Sequence, residues 1–270
     1  MSKLLIFGLG YTAARLAARM AARGWDVDGT TRAGGAGTLR FDDEPAVRAA
    51  IRDASHIVSS VPPEGLNDAA DPVLARYGEA LALAPARWVG YLSSTGVYGD
   101  ARGAWVDESA PVGSGRRTAR ADADLAWQGV RGDVRVFRLP GIYGPGRSAL
   151  DRVRAGRAHR IALTDQVFSR IHVDDIVSAL IASFAGPPGV YNIADDAPCS
   201  QNQVIEGACD MLGLPWPQLM TIDEAGLSPM ARGFYAENRR VANGRAKRML
   251  EWVPQFPTWR EGLAACLAGE

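Results

Sequence analysis

The chain has 270 residues, enough to bury one large α/β core or one such domain with a small annex. Hydrophobic content of 47%, charged content of 22% and a formal net charge of zero are ordinary for a soluble globular protein, and they supply no global field for nucleic acid or an anionic membrane. The cysteines (Cys199, Cys209 and Cys266) are scattered and form no C-x-x-C pair, which excludes a disulfide framework and a zinc site.

Leu4 to Phe7 is a short apolar run suited to a fully buried parallel strand. Gly8, Gly10 and Ala13 follow at G-x-G-x-x-A spacing, with Tyr11 and Thr12 inside the motif, and an alanine- and arginine-rich helical pattern runs on to Gly24. The physical reading is strand, tight turn and helix N-terminus. The first glycine makes the turn, the second lets a pyrophosphate approach the backbone, and a small third residue lets helix and strand pack closely. Free N–H groups at the helix start would hold the phosphates. Gly8, Gly10, Tyr11, Thr12 and Ala13 are therefore cofactor-binding candidates; a glycine turn without a ligand is the plainer alternative. The chain enters its first strand at once and holds no apolar run of membrane-spanning length, so the cytoplasm is the expected compartment.

Trp25 to Thr31 reads as the second strand, with Arg32 at its end. NAD-preferring dinucleotide folds place an acid there for the ribose hydroxyls. An acid repels a 2′-phosphate, whereas an arginine can fork onto it, so NADP is expected in preference to NAD. Thr38 to Phe41 is a short strand ending in Asp42 and Asp43, and Glu44 to Arg52 is helical. His56 to Val61 forms a further strand halted by Pro62 and Pro63, with His56 expected at the strand edge. Asp42, Ser60 and Val61, at the ends of these strands, join the cofactor-binding candidates. Pro72 to Leu83 reads as a helix and Arg87 to Ser94 as the next strand. Buried strands alternating with helices predict an α/β fold, a right-handed, doubly wound parallel sheet.

At Ser93-Ser94-Thr95-Gly96-Val97-Tyr98-Gly99 the sequence resembles the extended short-chain dehydrogenase/reductases, the NAD(P)-dependent epimerase/dehydratase family. Phe137 to Gly146 (FRLPGIYGPG), Ile171 to Val177 (IHVDDIV), Gly189 to Asp196 (GVYNIADD) and the tail from Arg239 to Leu263 resemble further segments of that family. The resemblance implies a Rossmann domain over 1–138 plus about 172–198. It also implies a small substrate domain with closing helices over about 139–171 and 199–270. At 270 residues the chain is short for an extended member, so a trimmed substrate domain is expected. Pro140 would lie at the cofactor and Ser94 would polarise the substrate oxygen. The H-V-D-D segment of His172, Asp174 and Asp175 would start a helix and tie the domains together.

The family's acid/base is a tyrosine with a lysine four residues later on the helix after this strand. The positions expected for that pair hold Arg116 and Arg120, and no tyrosine in the chain has a lysine four residues on. Arginine does not deprotonate in proteins and cannot replace the phenol, although Arg120 could bind ribose hydroxyls. Tyr98, with Arg102 four residues on, and Tyr143 of the Y-G-P-G loop are the substitute acid/base candidates, an adjacent arginine lowering either phenol. Packing tyrosines are the alternative. Arg116, Arg117 and Arg120 could instead face an anionic substrate group. Arg239, Arg240, Arg245, Lys247 and Arg248 read as a basic surface helix.

The implied function is an NADP-linked oxidoreductase or epimerase-like enzyme acting on a small hydroxy/keto or nucleotide-linked compound. The alternative is a catalytically impaired NADP-binding protein of the same fold that senses redox state. The expected partner is a small molecule, not nucleic acid or membrane, with a homodimer possible by resemblance.

Overall fold

The computed structural model describes residues 2–35, 37–63, 70–115 and 118–269. In chain order the first half comprises β1 (Lys3–Phe7), α1 (Tyr11–Ala21), β2 (Asp26–Thr31), β3 (Leu39–Arg40), α2 (Glu44–Asp53), β4 (His56–Ser59), α3 (Pro72–Ala82) and β5 (Trp88–Ser94). A 3₁₀ turn (Thr95–Tyr98), β6 (Trp105–Val106), α4 (Thr118–Val130), β7 (Val134–Leu139), β8 (Gly141–Tyr143), α5 (Ala149–Arg154), β9 (Arg160–Ile161) and β10 (Arg170–His172) follow. The chain continues through α6 (Val173–Ala182), β11 (Gly189–Asn192), α7 (Gln201–Leu212), β12 (Leu219–Met220), α8 (Pro229–Phe234), β13 (Arg240–Val241), α9 (Gly244–Met249) and α10 (Trp259–Ala268).

Seven strands form one parallel sheet in the order β11-β7-β5-β4-β1-β2-β3. The apolar runs KLLIF, HIVS and VRVFRL supply its buried centre, because a sheet covered on both faces leaves little room for polar alternation. Side chains of β1 alternate between the faces: Leu4 and Ile6 meet Leu16, Trp88, Ile176 and Leu180, while Leu5 and Phe7 meet Ile51, Tyr77, Val89 and Trp127. Helix starts are fixed locally. Asp43 accepts from the Ala46 N–H ahead of α2, and Asp71 accepts from the Val73 and Leu74 N–H groups ahead of α3, each followed by a proline in the first turn. A third apolar cluster joins Tyr143, Leu150, Val204, Ile205, Trp259 and Leu263, packing α5, α7 and α10 together beyond the sheet.

Strand order reverses between β1 and β4, and ligands of open α/β sheets bind outside the strand ends at such a point. Two local expectations are corrected. The fourth strand stops at Ser59, two residues early, because the Ser60 hydroxyl turns back to the Gly8 carbonyl at 2.5 Å. His56 is 2% exposed rather than at an edge, packed among Trp25, Trp88 and Phe184, and burial lowers its pKa to about 4. Among the described residues, no helix is long and apolar enough to cross a membrane.

Candidate functional site

The glycine turn sits at the switch point. Gly8 has φ +82°, and a Cβ there would lie 2.9 Å from Val61 Cγ2 and 3.3 Å from Ser60 Oγ, so Ser60 and Val61 form the wall against which the turn is made. The Gly8 N–H donates to Thr30 Oγ1 at 3.2 Å. Ala13 is buried at the helix–sheet contact, and Thr12 is buried beside it. Gly10 differs from both: an added Cβ would meet no atom within 4 Å, and no side chain caps the start of α1. An open backbone approach therefore faces the uncapped N–H groups of a helix, which is the cradle a diphosphate requires.

Thr30 and Thr31 are both committed internally, Thr30 to Gly8 and Thr31 to the Gly34 N–H and the Thr38 hydroxyl. Arg32 is exposed and makes no hydrogen bond or ion pair with a described residue, leaving its guanidinium available at the end of β2. Asp42 stands just after β3, where Arg40 forks onto it at 2.9 and 2.7 Å and holds its carboxyl below the usual range.

The glycine turn meets the Y-G-P-G loop through Tyr11, whose hydroxyl donates to the Pro145 carbonyl at 3.0 Å. The Arg147 guanidinium lies over the Tyr11 ring at 5.6 Å. Behind this loop opens a cavity of about 510 Å³, lined by Ser94, Arg120, Pro140 and Tyr143 among others. Ser94 ends β5 and accepts from the Gly96 N–H at 3.1 Å, which fixes its oxygen and leaves its proton for a ligand. Four of the expected residues thus line one cavity. Arg116 and Arg117 lie outside the described residues.

Tyr98 does not line that cavity. It is 4% exposed, its hydroxyl donates to Asn192 Oδ1 at 2.8 Å, and it accepts from Arg138 at 3.0 Å. Arg102 is not its helical neighbour, because the 3₁₀ turn closes at Gly99 with φ +67°. Burial raises the Tyr98 phenol, which the nearby Arg138 only partly opposes. The substitute acid/base assignment of Tyr98 is replaced by a structural one.

Tyr143 lines the cavity, but its hydroxyl abuts Gly262 of α10 and has no hydrogen-bond partner among the described residues. Burial, followed by the carboxylates of Asp195 and Asp175, pushes this phenol up, opposite to the lowering expected from an adjacent arginine.

Asp195 is a second buried group, with one oxygen that has no partner among the described residues. Burial raises its pKa to about 7. The folded state therefore binds a proton that the unfolded state releases above about pH 4, and stability falls as pH rises from there to 7. Asp195→Asn keeps the acceptor for the Ala197 N–H and cannot ionise. It is expected to stabilise the chain by roughly 2 kcal/mol at pH 8, a rise of roughly 5 °C in melting temperature that shrinks towards pH 4. Thermal melts across that range check this, and a variant less stable than the parent at pH 8 contradicts it.

His172 caps α6 and accepts from the Asp174 N–H at 3.2 Å, while both Asp174 oxygens take the Arg15 guanidinium of α1 at 2.8 Å. Asp175 accepts from the Gln255 and Phe256 N–H groups. This segment fastens α1, α6 and the tail. The basic stretch near the tail is not one surface helix: Arg239 lines the cavity, Arg240 lies in β13, and only α9 carries Arg245, Lys247 and Arg248. The cavity arginines 147, 152, 157 and 239 were not singled out by sequence as site residues; their signal was a basic run after Y-G-P-G and another near the tail.

The fold is a Rossmann-like α/β architecture, a seven-stranded parallel sheet flanked by helices, which solved epimerase/dehydratase structures share. It superposes on the human epimerase family protein SDR39U1 bound to NADPH with a TM-score of 0.82 at 18% identity, covering 99% of this chain and 100% of that one. The chain belongs to the family of a functionally unknown conserved protein from Silicibacter pomeroyi DSS. The two are 42% identical with a TM-score of 0.87, over 100% of this chain and 99% of that one. A 3-diazoavenalumate denitrifying reductase from a Streptomyces species is 33% identical over 160 residues, 54% of this chain. The match spans 52% of that reductase's length. No protein-family model matches the chain.

Proposed function

We propose that the chain is an NADP-linked oxidoreductase that transfers hydride to or from a small hydroxy/keto compound in the cytoplasm. The observation that carries this reading is Gly10, open to free space at an uncapped helix start whose Tyr11 meets Pro145 and the cavity residue Arg147. Arg32, unpaired among the described residues where NAD-preferring folds hold an acid, supports NADP over NAD. The NADPH of the human epimerase family structure and the reductase name of the Streptomyces relative point the same way.

The nicotinamide, when bound, supplies or accepts the hydride. Ser94 donates a hydrogen bond to the reacting oxygen, and Arg120 of the same cavity stabilises negative charge that develops there. Neither candidate phenol is placed to hand over a proton, since the Tyr143 hydroxyl abuts Gly262 and the Tyr98 hydroxyl is committed to Asn192 and Arg138. Water completes protonation of the oxygen. The binding-only alternative gains no observation of its own.

The test is a titration with NADPH, NADP, NADH and NAD, followed by turnover on a panel of carbonyl compounds. The expected result is NADPH at least ten times tighter than NADH and a reduced carbonyl, with Ser94→Ala lowering kcat/KM about 100-fold and leaving the NADPH Kd in place. Equal affinities would remove Arg32 from the assignment, and binding without turnover on any panel member would favour a sensor.

A further inference from the structure

We infer that the cavity takes a small, largely apolar compound bearing a single carboxylate or phosphate, gripped by Arg152 and Arg157. The inference deepens the oxidoreductase reading, on which the fate of the ligand rests, although binding of the anion does not depend on it.

Charge is the first observation. The cavity lining carries six arginines and, among the described residues, a single carboxylate, Glu237. A concave wall of one sign concentrates oppositely charged ligands. Four of the arginines have an environment of their own. Arg170 is buried and donates to the carbonyls of Phe168, Cys199 and Ser200 and to Gln201 Oε1. Arg239 holds Glu237 at 2.9 Å and the Gly99 carbonyl at 2.6 Å. Arg147 lies against the Tyr11 ring on the glycine-turn side, and Arg120 lines the cavity with Ser94. Arg152 and Arg157 pair with no carboxylate among the described residues.

Rigidity is the second. Both residues belong to one short element and the turn that closes it, with the Arg157 N–H bonded to the Arg152 carbonyl at 2.9 Å. Ala149 and Leu150 of α5 are buried against α7 and α10, which fixes the platform. The acid of this segment, Asp151, is spent on the helix start, accepting from the Ser148 N–H and hydroxyl at 2.6 and 2.7 Å. Two guanidinium forks on a fixed base match a carboxylate or phosphate, which each can take in bidentate fashion.

Shape is the third. The same cavity is lined by Leu227, Ala231, Phe234 and Tyr235, and Phe168 meets the Tyr235 ring edge-on at 5.5 Å. Apolar and cationic lining residues in one space of about 510 Å³ select a ligand with an apolar body and one charged end.

The probes are benzoate, phenyl phosphate and the neutral benzamide, titrated into the chain with and without NADPH. Both anions are expected to bind at least ten times more tightly than benzamide. In the double variant Arg152→Gln with Arg157→Gln, each anion is expected to weaken at least tenfold while the NADPH Kd stays unchanged. Tighter benzoate than phenyl phosphate assigns a carboxylate, and the reverse a phosphoryl group. Benzamide binding as well as the anions, or a double variant that binds them like the parent, overturns the inference. A chain that discriminates the anions but binds no dinucleotide keeps the subsite and sinks the oxidoreductase reading. One that binds NADPH and discriminates no anion does the opposite.

Discussion

Gly10→Val is expected to weaken NADPH binding at least 100-fold while leaving the fold in place. Gly10 has φ −80° and ψ −173°, extended backbone that a β-branched residue adopts without strain. No atom lies within 4 Å of the Cβ it would gain, so the substitution repacks nothing inside the protein. Valine is a poorer helix cap than glycine, which sets a cost of about 1 kcal/mol and a melting shift of a few degrees at most. The new methyl groups would instead occupy the space through which a diphosphate reaches the N–H groups of α1. Gly8→Ala provides the contrast, since φ +82° and the 2.9 Å approach to Val61 make it a folding defect before it is a binding defect. Titration with NADPH beside a thermal melt separates the two. A Gly10→Val chain that binds NADPH like the parent removes the cradle from the glycine turn and the proposed cofactor with it.

The contrast between these glycines also marks what was legible in the sequence. Strand, turn and helix around Gly8 follow from a buried apolar run and a fixed spacing, both local properties, and the sheet order follows from repeating that local unit. Ser94 and Tyr143 were placed at the cavity by motifs read along the chain. What failed was direction. Tyr98 and Ser94 are four residues apart, yet one faces Arg138 and Asn192 inside the protein and the other faces the cavity, because a 3₁₀ turn rotates the chain between them. The Tyr143 hydroxyl is aimed at Gly262, 119 positions later in the chain, and no local pattern encodes that approach. Arg152 and Arg157 went unmarked in the sequence for the same reason. Their distinction from any exposed arginine is the apolar lining of the same cavity, which the chain supplies some 75 residues later with Leu227, Ala231, Phe234 and Tyr235.

Arg138→Met is expected to destabilise the fold by about 3–5 kcal/mol, a large share of the whole for a natural domain. Arg138 and Asp124 are 3% and 0% exposed, and the guanidinium forks onto the carboxylate at 3.0 and 2.8 Å. Burial opposes the arginine's charge, but the Asp124 contact outweighs it and holds Arg138 protonated. The pair is also a junction. Ser93 of β5 donates to Asp124 at 2.5 Å, Arg138 of β7 reaches Tyr98 after the 3₁₀ turn, and Tyr98 reaches Asn192 of β11. Removing the arginine leaves a carboxylate buried without its counter-charge, and Asp124→Leu leaves the converse. Substituting both removes two charges together, so a double-mutant cycle should give a coupling on the order of 3 kcal/mol. Additive losses in urea unfolding would show that the pair is not coupled and that its cost is packing alone. The same junction holds Ser93, next to Ser94, and α4, which carries Arg120. Loosening it should therefore lower turnover more than it lowers NADPH affinity, because the glycine turn lies on β1, two strands away across the sheet.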